Sequence, residues 1–90
     1  MKVVITVVGV DRTGIIATVS NVMAQCNVNI LDINQTIVDD FFHMVMVVDM
    51  SQASVDLSGL QDILKEKGEA IGVEIRAQHA DIFYAMHRVG

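Results

Sequence analysis

Residues 5–36 read ITVVGVDRTGIIATVSNVMAQCNVNILDINQT. They continue a Val- and Ile-rich run, Lys2 to Gly9, that ends at a glycine and a polar cluster, the pattern of a strand that is largely buried. After Val10-Asp11-Arg12-Thr13-Gly14, the residues Ile15, Ile16, Val19, Val22, Met23 and Cys26 recur at intervals of three and four, the stripe of a helix with one buried face. Asp11 or Thr13 is its expected N-cap. Asn27 tolerates the left-handed conformation that stops a helix. Val28 to Val38 then returns to mixed apolar and polar alternation, which predicts a second strand. Its phase slips at Ile30 and Leu31 before Ile33 and Ile37, so the strand has a bulge near residues 30 and 31 or two partly buried faces.

Working outward, Asp39-Asp40 breaks two β-rich runs with the spacing of a tight hairpin, although the preferred glycine is missing. The third strand places Phe42, Met44, Met46 and Val48 on one face and His43, Val45, Val47 and Asp49 on the other. Ser51 to Ser54 is a polar loop, and Asp56 or Ser54 caps a second helix with the stripe Leu57, Leu60, Ile63, Leu64, Lys67 and Ile71, ending near Gly68 or Gly72. Val73 to Ala80 alternates cleanly and predicts a fourth strand with one wet face, hence an edge. Residues 81–89 offer an Asp cap and Ile82, Ala85, Met86 and Val89 at helical spacing, so a short terminal helix is expected to pack back on the body.

The order β-α-β-β-α-β predicts an α+β fold, a ferredoxin-like sandwich with a four-stranded antiparallel sheet in the order 4-1-3-2 and two helices on one face. The first and third strands are expected to be central, and to run parallel. Val4, Thr6, Val8, Val45 and Val47 would share the face opposite the helices, a patch too apolar to leave in water comfortably, which points to a homodimer.

Ninety residues, 52% hydrophobic and 19% charged with no Pro, fit one domain spanning 1–90. Six Lys and Arg against eleven Asp and Glu give a net charge of −5, a field that opposes nucleic acid and anionic lipid. No apolar run approaches the roughly 18 residues that span a bilayer. The opening MKVVITVVGVDR lacks a signal-type cleavage site and Cys26 stands alone, so a cytoplasmic location is expected.

Gly9 and Gly14 have the spacing of a phosphate-binding loop, but Ile15-Ile16 stands where Lys and Ser or Thr are needed, which excludes nucleotide hydrolysis. His43 and His79 are expected at the same end of the sheet, yet no HxH or CxxC spacing accompanies them, so neither a metal nor any other cofactor is expected. Cys26 sits at the end of its helix, where the dipole disfavours a thiolate, and reads as core. Asp39 and Asp40 splay apart in a turn, so no catalytic residues emerge.

Asp11-Arg12-Thr13-Gly14-Ile15, Asn29-Ile30 and the βαββαβ frame resemble the ACT domain, a small regulatory module that binds amino acids in many metabolic enzymes. The ending Gln78-His79-Ala80-Asp81-Ile82-Phe83 and Ala85-Met86-His87-Arg88 looks like the short, stand-alone single-ACT proteins of bacteria and archaea, relatives of the ACT repeats in the glycine-cleavage repressor. The resemblance implies a non-enzymatic module whose ligand site lies at a homodimer interface. The loop residues Asp11, Arg12, Thr13, Gly14 and Ile15 would face Asn27, Val28, Asn29 and Ile30 there. Gly14 allows close backbone approach, the helix start suits a ligand carboxylate, and Asn27, Asn29 or Asp11 would take an ammonium group. The plainer reading of the same residues is a tight turn, a helix cap and turn-forming asparagines. The expected function is binding of a small amino-acid-like metabolite, passed on allosterically to an unknown protein partner; the alternative is a constitutive interaction module without a ligand.

Overall fold

The computed structural model describes residues 1–87. Its elements are β1 (Lys2–Val10), α1 (Ile15–Gln25), β2 (Asn29–Val38), β3 (Phe41–Asp49), α2 (Leu57–Ile71), β4 (Val73–His79) and α3 (Ala80–Met86). The sheet order is β2-β3-β1-β4, so the ferredoxin-like sandwich and its strand order are as the sequence predicts. β1 and β3, however, are antiparallel rather than parallel, with Val10 opposite Phe41 and Lys2 opposite Asp49. The crossover through α1 returns β2 in the direction of β1, and the hairpin at Asp39-Asp40 then reverses the chain into β3. Asp39 takes φ 53, doing as an aspartate what a turn glycine would do more easily.

Period-two patterning sets the two faces. Val3, Ile5 and Val7 of β1 and Phe42, Met44, Met46 and Val48 of β3 turn inward against Val19, Val22 and Met23 of α1 and Leu60 and Leu64 of α2. Each such side chain, removed from water, contributes about 1.5–3 kcal/mol, which is where the stability of so small a domain originates. Cys26 is buried in this core, as expected. Ile16 is not: it lies on the shoulder of the α1 stripe and remains exposed. The β2 phase slip resolves as a bulge, because the register with β3 shifts between Ile30 and Asp32.

Helix ends follow local chemistry. The Asp56 carboxylate accepts from the Gly59 N–H at 2.8 Å to cap α2, and Gly72 closes that helix at φ 76. α1 departs from expectation, for neither Asp11 nor Thr13 caps it. Its N-cap is Gly14 at φ 93, with no side-chain hydrogen bond to the first turn. α3 starts one residue early, at Ala80, and its cap is His79, whose Nδ1 accepts from the Asp81 N–H at 3.1 Å. Residues 88–89 of the expected terminal helix lie outside the described residues.

α3 also changes the account of the open sheet face. It packs on β1 and β4, where Val4 is only 1% exposed although it points away from the main core. Val8, Val10, Val38 and Phe41 stay exposed at the hairpin end of that face. No helix among the described residues is long and apolar enough to cross a membrane.

Candidate functional site

The nine residues expected to form one site lie at two opposite ends of the chain's own sheet. Val10, which leads into the Asp11–Ile15 loop, pairs with Phe41, whereas Asn29 pairs with Asp49 at the far end of β3. The eleven residues of α1 span the gap, about 16 Å at the helical rise.

The loop end is a cleft of about 400 Å³, walled by Asp11 to Ala17 on one side and by Gln35, Ile37 and Phe42 on the other. All five loop residues of the expected site are therefore brought together. The Asp11 N–H donates to the Asp40 carbonyl at 2.6 Å, which ties the loop to the β2–β3 hairpin. Arg12 reaches the other way: its Nη1 donates to the Ile71 carbonyl at 2.7 Å, satisfying an acceptor at the C-terminus of α2. One edge of this guanidinium thus holds the fold together rather than facing solvent. A Cβ built on Gly14 meets nothing within 4 Å, so the glycine is there for its positive φ, not for lack of space. No side chain caps the α1 start, and its first residues Ile15, Ile16 and Ala17 line the cleft, an arrangement that favours an anion there. Gln35, Ile37 and Phe42 were absent from the expected site. The Asp39-Asp40 hairpin was the signal that places them, since it returns the end of β2 and the start of β3 to the loop.

The far end is a cleft of about 430 Å³ lined by residues of the α1 terminus, the start of β2 and the 49–52 segment. Asn27, at φ 56, donates from Nδ2 to the Gln52 carbonyl at 2.9 Å, and the Ser54 N–H donates to the Cys26 carbonyl at 2.8 Å. Val28 is buried in the core and Ile30 packs against it, so of the four expected residues here Asn29 is the one whose exposed side chain is not already described as structural. Asp49 joins it across the ladder. The Ser51 backbone N–H, at 3.0 Å from Oδ1, holds the Asp49 carboxyl below its ordinary value; partial desolvation opposes this, while the Ser51 hydroxyl and the chain's amino terminus assist it. This end carries the Asp49 carboxylate as an acceptor, whereas the loop cleft is lined mainly by apolar side chains.

His43 and His79, expected at the same end of the sheet, lie toward opposite ends. His43 pairs with Val8 and His79 with Val3, five positions apart along β1, or about 16 Å at the rise of a strand.

The ACT domain family matches residues 2–78. The UPF0237 protein of Methanocaldococcus jannaschii is 52% identical over 88 residues, with 98% of each chain covered. Among solved structures, an ACT domain protein from Streptococcus pneumoniae superposes with a TM-score of 0.81 at 42% identity, covering 92% of this chain and 93% of that one. A putative glycine cleavage system transcriptional repressor gives a TM-score of 0.75 at 25% identity, over 86% of this chain and 44% of that one. The βαββαβ frame is thus shared with known ACT domains, and the chain belongs to the ACT domain family, grouping within it with the UPF0237 proteins.

Proposed function

We propose that this chain is a non-enzymatic regulatory module that binds a small amino-acid-like metabolite between two copies of itself and passes that state to a protein partner. The observation that carries the reading is the contrast between the two sheet edges. β4 is guarded: Gln61 of α2 donates to the Ala77 carbonyl at 2.7 Å, and the Arg76–Glu74 ion pair stands on the same strand. β2 is ten residues long and exposed nearly throughout, with Leu31, Ile33 and Ile37 open to solvent. A long, apolar, uncovered edge is a template for pairing with another strand.

Pairing of β2 with its own copy, antiparallel about a two-fold axis, sets the start of one β2 beside the end of the other. The end of β2 carries Gln35 and Ile37, which wall the loop cleft; the start carries Asn29 and Ile30. The two halves of the expected site, separated in one chain, become neighbours across two. In such a site the α1 N-terminus takes the ligand carboxylate, while Asn29 and the acceptors around it take the ammonium group. A ligand shared by two subunits favours the assembled form by its differential affinity, and the surface a partner meets changes accordingly.

Thermal denaturation against the twenty amino acids tests this. A ligand at 100 times its Kd adds about 2.7 kcal/mol, and each kcal/mol moves the midpoint of so small a domain by roughly 4–8 °C. A selective upward shift that is lost in Gly14→Ala is expected. A flat panel favours the constitutive module, for which the exposed Ile82, Tyr84 and Met86 of α3 provide a surface.

A further inference from the structure

α3 crosses the open sheet face and leaves a groove of about 280 Å³ at its C-terminal end, walled by Thr6, Val8, His43, Glu74, Arg76 and His87. The register makes this one continuous patch, since Val8 stands between His43 and Glu74 and Thr6 stands next to Arg76. The chain carries six Lys and Arg and three His against eleven Asp and Glu, yet one Arg and two His converge here. That concentration runs against the average field of the molecule.

The donors are partly fixed in advance. Arg76 uses Nε to reach Glu74 Oε1 at 2.6 Å, which leaves its two terminal amino groups for something else. His87 Nδ1 lies 2.8 Å from the Phe83 carbonyl; a carbonyl only accepts, so Nδ1 carries the proton and Nε2 is the nitrogen left to meet a ligand. The His87 ring also stacks on Phe83, with centroids 4.1 Å apart. A ring held in place loses little freedom on binding.

We infer that this groove binds a small oxyanion, with Arg76, Thr6 and the imidazole N–H groups of His43 and His87 as donors, and that the bound anion pins α3 to the sheet. The open side of a guanidinium offers parallel N–H groups to two oxygens, the geometry shared by phosphate, sulfate and carboxylate. Among the described residues, the titratable and charged groups facing the groove are His43 from β3, Glu74 and Arg76 from β4, and His87 from the end of α3; β1 contributes none. With neutral imidazoles, Glu74 balances Arg76. An imidazole nitrogen donates to an anion only while it carries a proton, so anion binding takes up protons and strengthens as pH falls. Because His87 is the C-cap of α3, an anion held there joins that helix to β1, β3 and β4 at once.

Sulfate is the probe, since its charge does not change near neutral pH. Titrated by NMR at about pH 5.5 and about pH 8, it is expected to give saturable shifts at Thr6, His43, Arg76 and His87, with affinity at least about tenfold higher at the lower pH. Arg76→Gln and His43→Gln, both verified as folded by their melting curves, should lose the response, and Glu74→Gln should strengthen it near pH 8. Repeating the titration with phosphate and with acetate distinguishes a phosphate from a carboxylate as the anion the groove prefers. Gly14→Ala, which alters the loop cleft and not this groove, should leave sulfate binding unchanged, so this inference stands or falls apart from the amino-acid reading. Linear, unsaturated shifts, or the same response in folded Arg76→Gln, would overturn it.

Discussion

A single methyl group at Gly68 would meet a backbone atom that has nowhere to go. Its ideal position lies 2.7 Å from the Val73 carbonyl oxygen and 3.2 Å from Ile75 Cγ1, where α2 presses on the start of β4. Alanine is the better helix former by about 1 kcal/mol, but the crowding reverses the sign, and Gly68→Ala should lower stability by about 1–3 kcal/mol in urea unfolding. Asp49 makes a different prediction. Its carboxyl is held below its ordinary value by the Ser51 N–H, so the stabilisation is present above the unfolded carboxyl range and is lost as pH falls through the lowered value. Asp49→Asn should therefore flatten the loss of stability below about pH 4, measured as the urea midpoint against pH in the two proteins. Residue identity alone did not reveal the part Arg12 plays, because its partner, the Ile71 carbonyl, lies 59 positions away. Gly14 was legible as a tight turn, while its replacement of a side-chain cap was not, since Asp11 and Thr13 both had the right chemistry and only the path of the chain excludes them.

The elements themselves were written plainly in the pattern, and their directions were less so. Period-two runs located all four strands and period-three-and-four stripes located α1 and α2, because each element buries one face and must repeat at its own pitch. The bulge at Ile30–Asp32 was visible as a change of parity for the same reason. Direction depends on counting reversals along the chain, which is how β1 and β3 came to be expected parallel and are antiparallel. The path of α3 over Val4 was hidden, since an amphipathic stripe of two turns does not say which face of the sheet it will cover. β2 is the element with the most to lose from its environment, being long, apolar and at an edge. On the β2–β2 account, Ile33→Lys together with Ile37→Lys places like charges along the seam and should yield monomer in sedimentation while the circular dichroism spectrum remains that of the folded protein. A double variant that still dimerises would move the interface elsewhere.

At the scale of the whole molecule, the two groups of residues expected to form one site stand at opposite ends of the sheet. The loop residues Asp11 to Ile15 gather as expected around the uncapped start of α1, and Asn29 stands at the other end of the sheet beside Asp49. The residue types were legible in the sequence because the ACT resemblance marks them, but their separation was not, because it follows from the length of α1 and the sheet register. On the proposed reading, a ligand that occupies both halves also holds two subunits together, which couples binding to assembly. The most direct measurement is sedimentation equilibrium of the pure chain, alone and with each of the twenty amino acids. A particle of twice 9.8 kDa is expected, with a dissociation constant that falls in the presence of one chemical class of amino acid. A 9.8 kDa particle at micromolar concentration, unmoved by every amino acid, would contradict it.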